Sequence, residues 1–203
     1  MPQSGTRAEL IARTALELIA ARGLRGLTHR AVDEAAGLPA GSTSYHARTR
    51  ARLIEAALTW LVDQEESEPS LRSLRASGTG AGDAPDRATV ASLGADFLHT
   101  AYTRDRARSL ARFELALEAG RSPELREVYD RLGLRFRRMI TGLVAALGSA
   151  EPERHARVLA HWSEGVLFDA LAGAGSASPP SPEELRATIL TLLDGLLGAD
   201  PHR

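Results

Sequence analysis

The chain contains no cysteine, which excludes disulfides and thiolate metal sites. It contains no lysine either; all 25 basic residues are arginine. With alanine and glycine so abundant, that bias fits GC-rich coding, and no meaning attaches to arginine rather than lysine at any one position. Aromatic residues make up only 4% while alanine and leucine dominate, which favours helix over sheet. No stretch approaches the roughly 18 uninterrupted apolar residues that a membrane span needs. The opening "MPQSGTRAELIARTAL" carries Glu9 and Arg13 inside its apolar stretch, so it does not read as a signal peptide. A soluble cytoplasmic protein without membrane contact is expected. Its 203 residues, 43% of them hydrophobic, are enough for one large domain or two small ones with a real core.

The net charge of -1 hides an asymmetry. Residues 1–52 hold eight arginines against four acids, giving +4, and the remainder holds 17 against 22, giving -5. A basic N-terminal quarter on an acidic body points to a polyanion site at one end.

Apolar periodicity predicts a first helix over 7–22, with Leu10, Ile11, Ala15, Leu18 and Ile19 at helical spacing and Gly23 as its stop. Thr28 is a good N-cap for a second helix over about 29–36, without a full capping box, and Gly37 ends it. Pro39 suits the first turn of a third helix that ends near Tyr45 or His46. Thr49 caps a fourth, running to about residue 66. Residues 67–86, "SEPSLRSLRASGTGAGDAPD", read as a polar loop with partial disorder. Helices follow over about 87–103, 105–119, 123–147, 152–173 and 183–198, with "AGSASPPSP" breaking the chain at 174–182. There is no strand signal and no internal repeat, so the expected class is all-α.

Two short helices joined by a tight glycine turn make a helix-turn-helix, whose second helix enters the major groove of DNA. That placement explains why "THRAVDEAAGLPAGSTSYHARTR" is rich in hydrogen-bonding groups and poor in apolar ones. Alanine and serine are short enough for the backbone to approach the groove, and hydroxyls bond bases or phosphates. The helix starts at Thr28 and Thr49 offer N–H groups to phosphate, with Arg48, Arg50 and Arg52 beside them. The bland alternative for a helix–Gly–helix taken alone is a solvated surface hairpin.

The order of features over residues 7–60 is more specific. An amphipathic first helix, "RGL…LT", "AGL", a serine/threonine-rich turn, an aromatic pair and a basic start to the fourth helix occur in sequence. Together they resemble the N-terminal domain of the tetracycline-repressor-like (TetR) family of transcriptional regulators. The resemblance implies a homodimer that binds a near-palindromic double-stranded operator, most often as a repressor, and releases it on binding a small hydrophobic or amphipathic effector. It also implies a division into a three-helix DNA-binding domain, 1–48, and a helical ligand-binding and dimerisation domain, 49–203. Carried over by position, Thr28 is a phosphate-binding cap, and His29 and Arg30 face DNA from the second helix. Ala40, Ser42 and Ser44 lie on the recognition helix, Tyr45 and His46 form its aromatic end, and Arg50 sits where the family usually has a phosphate-binding lysine. The family's commonest pattern has tyrosine where Ser44 stands and phenylalanine where Ala47 stands. "GSTSYHARTR" instead resembles a subgroup with "STSYY", and Ala47 lacks that subgroup's bulky residue.

The C-terminal body holds most of the aromatics. Each one singly reads as core; as a set, Trp60, Phe97, Phe113, Phe136 and Trp162 are candidates to line an effector pocket, with Glu114 as a polar group that orients a cationic or hydroxylated ligand. Leu185, Ile189, Leu192, Leu193, Leu196 and Leu197 give the last helix a broad apolar face, one side for the core and another for a second subunit. Gly165 and Ala172 in the preceding helix permit close helix approach. His155 and His161 do not share a helix face, and no carboxylate completes a metal site. No cofactor motif appears, and "GTGAG" at 78–82 has no strand before it. The rival readings are a small helical enzyme using Glu114, His99 or His161, for which no catalytic constellation is recognisable, and a helical interaction module without DNA binding, which the basic N-terminal quarter disfavours.

Overall fold

The computed structural model describes residues 6–77 and 86–198, and among these the chain is helical throughout, with no strand. The "GTGAG" stretch and the rest of 78–85 lie outside the described residues. The chain divides into two compact units, Met1–Glu65 with Ala107–Leu132, and Glu66–Arg106 with Gly133–Arg203.

The first unit opens with α1, Arg7–Arg22, closed at its start by a capping box in which the Thr6 hydroxyl accepts the Glu9 N–H and the Glu9 carboxylate accepts the Thr6 N–H. Gly23, at φ 65, ends it in a left-handed conformation that suits glycine. A 3-10 turn at Leu24–Gly26 leads to α2, His29–Ala35, then α3, Ser42–His46, and α4, Arg50–Glu66. The Thr28 hydroxyl caps α2 by accepting the Ala31 N–H at 3.1 Å, and Thr49 does the same for α4 through the Arg52 N–H at 3.2 Å.

One core binds this unit. Ile11, Leu16 and Ile19 of α1 meet Leu53, Leu58 and Leu61 of α4 and Val32 of α2. Further along the chain, α7 (Arg106–Ala119) adds Ala111, Leu115 and Ala119, and α8 (Pro123–Ala146) adds Leu125. Each fully buried leucine contributes about 1.5–3 kcal/mol, so α4, with Leu53, Leu58 and Leu61, holds this unit together as much as α1 does, and α7 adds Leu115. The unit reaches to Glu65 and takes in 107–132.

In the second unit, α5 (Pro69–Ser77) replaces the first part of the expected loop over 67–86. Its Leu71 and Leu74 are buried, and the Glu68 carboxylate accepts the Leu71 N–H at 2.9 Å at its start. An i,i+3 leucine pair with a place to pack outweighs the polar composition around it. α6 (Arg87–Tyr102), capped by Asp86, packs against α5, α9 (Pro152–Ala172) and α10 (Pro182–Leu197). α6 and α10 run antiparallel, with Arg87 at the start of one 2.8 Å from Asp194 near the end of the other. Gly94 lets them approach closely, since a Cβ there would stand 3.1 Å from Ile189 Cδ1. The C-terminal half of α8 packs on α9 through Ile140, Val144, Ala156 and Ala160.

The leucine face of α10 turns inward more than its sequence suggested. Leu185, Ile189, Leu190 and Leu193 are buried, and Leu192, Leu196 and Leu197 are half-buried. The strip left exposed is Ala187, Thr188, Thr191 and Gly195. On α9 the exposed strip is Val158, His161, Gly165, Phe168 and Ala172. No helix among the described residues is long and apolar enough to cross a membrane.

Candidate DNA-binding surface

The segment from Thr28 to Arg52 carries four arginines and two acids. One of those acids, Asp33, is buried inside the motif. Its carboxylate accepts the Gly41 N–H at 2.8 Å, the Thr43 N–H at 2.7 Å and the Thr43 hydroxyl at 2.6 Å. These bonds shape the turn. Gly37 and Gly41, at φ 64 and 90, carry it through two left-handed positions that a side chain would strain. α3 therefore starts at Ser42, where sequence reasoning started it at Pro39, and Ala40 sits in the turn, not on the helix. The Ser42 hydroxyl donates to the Pro39 carbonyl at 2.7 Å.

Ser44, Tyr45 and His46 follow one another on the exposed side of α3. Tyr45 is 84% exposed, the most open large apolar side chain described, and its ring meets that of His46 edge-on at 5.3 Å. Thr28, Arg30, Arg48 and Thr49 are exposed as well. His29 differs: it is half-buried, and its Nε2 lies 2.6 Å from the Ala47 carbonyl, so that nitrogen is engaged within the motif and not offered outward. Arg50 is exposed, but one Nη2 N–H donates to the Leu24 carbonyl at 2.7 Å.

Burial is the largest single influence on Asp33 and opposes its ionisation; the Thr43 hydroxyl, the Thr43 and Gly41 N–H groups and the charge of His29 together outweigh it and hold its pKa below the ordinary aspartate value. A carboxylate with a depressed folded-state pKa stabilises the fold above its unfolded value, about 3.9, and that contribution disappears as pH falls through the lower folded value. The stability gap between wild type and Asp33→Asn, read from thermal melts, is therefore expected to be full near neutrality and to close below about pH 4. A gap that stays constant down to the acid limit would refute the assignment.

The candidate effector residues fall in two groups. Trp60, Phe113 and Glu114 belong to the first unit, where Trp60 packs half-buried on the core, the Arg112 guanidinium lies 4.8 Å over the Phe113 ring, and Glu114 is exposed. Phe97, Phe136 and Trp162 belong to the second, all half-buried, with the Phe97 and Phe136 rings 6.2 Å apart and tilted by 32°. Among the described residues no three His, Asp or Glu side chains gather as metal ligands.

The comparisons with known proteins agree with this architecture. A family model described as tetracyclin repressor-like, C-terminal domain, matches residues 85–199. The chain belongs to the tetracycline-repressor-like (TetR) family of transcriptional regulators. Among solved structures it is similar to a transcriptional regulator from Rhodococcus sp. Rha1, with a TM-score of 0.74 at 23% identity over 95% of this chain and 96% of that one. A TetR-family member from Streptomyces coelicolor A3 gives 0.72 at 26% identity over 93% and 98%. The multidrug binding protein EbrR complexed with ethidium gives 0.66 at 25% identity over 94% and 99%. No curated protein matches the chain.

Proposed function

We propose that the protein is a repressor that binds a near-palindromic operator as a homodimer and is released by a small hydrophobic or amphipathic effector. The observation that carries this reading is the run Ser44, Tyr45 and His46, displayed outward from α3 and flanked by the exposed arginines 30, 48 and 50. Hydroxyl, phenol and imidazole groups in a row suit base edges and phosphates, and the arginines supply the sequence-independent attraction. Thr28 and Thr49 each cap a helix start, where backbone N–H groups suit phosphate. EbrR binds ethidium, a flat aromatic cation, and that relative supports an aromatic or amphipathic effector here, with Trp60 of the first unit as its first candidate contact. Release requires that the effector prefer the DNA-incompatible state, a coupling of about 1–3 kcal/mol, or roughly 5- to 150-fold in operator affinity. We assign its transmission to α4, which has Arg50 at its start and Trp60 about 15 Å along it.

The test begins by selecting duplexes from a randomised pool with the full chain. The expected product is a site with two related halves, their centres about one DNA turn or slightly more apart, bound with a steep salt dependence. Ethidium added to that complex is expected to weaken it. A protein that enriches no sequence, or that sediments only as the 21.7 kDa chain at micromolar concentration, would overturn the reading.

A further inference from the structure

We propose that His29 and Asp33 of α2 form a two-point clamp that sets the pose of α3, which makes them positioning residues for sequence reading; the inference rests on the DNA-binding reading above.

α3 has five residues, little more than one helical turn, and a helix so short does not hold itself. Its apolar anchoring is slight. Thr43 and Ala47 are the buried residues of this segment, at 0% and 4% exposure, and both are small. The space that a bulky residue at 47 would fill is therefore not what orients the helix. The polar contacts reach both of its ends. At the start, the Asp33 carboxylate takes the Gly41 N–H, the Thr43 N–H and the Thr43 hydroxyl at 2.6–2.8 Å. Hydrogen bonds to an ionised carboxylate are about twice as strong as neutral ones. At the far end, His29 Nε2 stands 2.6 Å from the Ala47 carbonyl. A carbonyl only accepts, so Nε2 carries the proton and donates.

His29 and Asp33 are four residues apart, hence on one face of α2. One helix thus grips the other before its first residue and just after its last. A single tether leaves a short helix free to swing; two tethers at opposite ends fix both its tilt and its rotation about its own axis. Ser44, Tyr45 and His46 lie between the tethers and take part in neither. Base edges demand directional hydrogen bonds, whereas long arginines follow a displaced phosphate. Loosening either tether should therefore blur sequence discrimination while leaving general attraction to DNA intact.

The experiment uses the full chain, the duplex that wild type selects from a random pool, and a scrambled duplex of equal length. For Asp33→Asn and His29→Ala the expected ratio of selected to scrambled affinity falls by about 5- to 150-fold, the cost of misreading one base pair. Affinity for the scrambled duplex and the salt slope should stay as in wild type. His29→Gln, which restores a donor, should recover most of the ratio. Thr43→Val, which removes one bond of three, should fall in between and remains usable if Asp33→Asn does not fold. Without DNA, amide exchange at Gly41 and Thr43 should quicken in Asp33→Asn while the amides of α1 and α4 keep their protection. Variants that discriminate as well as wild type, that lose both duplexes equally, or whose Gly41 and Thr43 amides stay protected would overturn the clamp alone. A wild type that prefers no duplex would overturn the DNA reading, and the positioning role with it.

Discussion

Phe168→Glu is expected to turn the protein into a monomer and to weaken operator binding by about 10²- to 10⁴-fold, the avidity a second linked half-site supplies. α9 exposes Val158, His161, Gly165, Phe168 and Ala172, an alternation of three- and four-residue steps that makes a straight seam along one side of a helix. Phe168 is 50% exposed and Val158 37%, ten residues and nearly three turns apart along the same seam. Gly165 between them leaves open space where a Cβ would stand, so a second helix can come close. The exposed strip of α10, Ala187, Thr188, Thr191 and Gly195, is small enough for the same purpose. A phenylalanine at the centre of such a seam is the kind of anchor that dominates an interface. A glutamate in its place leaves an unpaired charge buried in the dimer, at a cost of about 3–5 kcal/mol. Sedimentation and operator titration read the two effects separately. A Phe168→Glu protein that remains dimeric at micromolar concentration would move the seam off α9.

Local signals carried far. α1 spans the residues its periodicity predicted, because a five-position apolar stripe and a following glycine leave no competing structure for 7–22. The helices from residue 87 onward fall within a residue or two of their expected limits for the same reason. α5 was hidden because two leucines in a run of serine, glycine and proline are too few to outvote composition; their burial depends on α6, which lies further along the chain. Pro39 gave a plausible helix start, and the bonds from Asp33 that delay the helix to Ser42 join residues eight and ten apart, beyond the reach of any helical or strand period. His29 with Ala47 and Arg50 with Leu24 are separated by 18 and 26 residues. What the sequence displayed about this surface was its chemistry: hydroxyls, aromatics and arginines in a segment with little else to do. What it concealed was which of those groups face outward and which tie the motif together, because that choice is made by tertiary contacts.

On the proposed DNA-binding reading Arg50 combines both roles in one side chain, and its replacement is the second large effect expected. It is the first residue of α4, and one of its N–H groups donates to the Leu24 carbonyl. That carbonyl lies in the 3-10 turn joining α1 to the Thr28 cap of α2. A guanidinium has five N–H donors in a rigid fork, so four remain for a phosphate after the turn has been pinned. Arg50→Ala removes both functions. Affinity for the selected and for a scrambled duplex should fall together by about 10- to 150-fold, the worth of a hydrogen bond to a charged group, and the logarithmic salt slope should drop by about 0.9. Arg50→Lys separates the two. An ammonium has three donors, but they radiate from one compact point charge and lack the extended planar fork that lets a guanidinium span two separated partners; directed at phosphate, it keeps the salt slope but leaves the Leu24 carbonyl without its donor. The lysine variant should therefore bind DNA with the wild-type slope while losing about 1 kcal/mol of stability, seen as a lower melting temperature. If Arg50→Ala changes which sequence is preferred but leaves the slope untouched, Arg50 reads a base and the phosphate lies elsewhere. If both variants melt as wild type does, the bond to Leu24 contributes nothing and Arg50 acts on DNA alone.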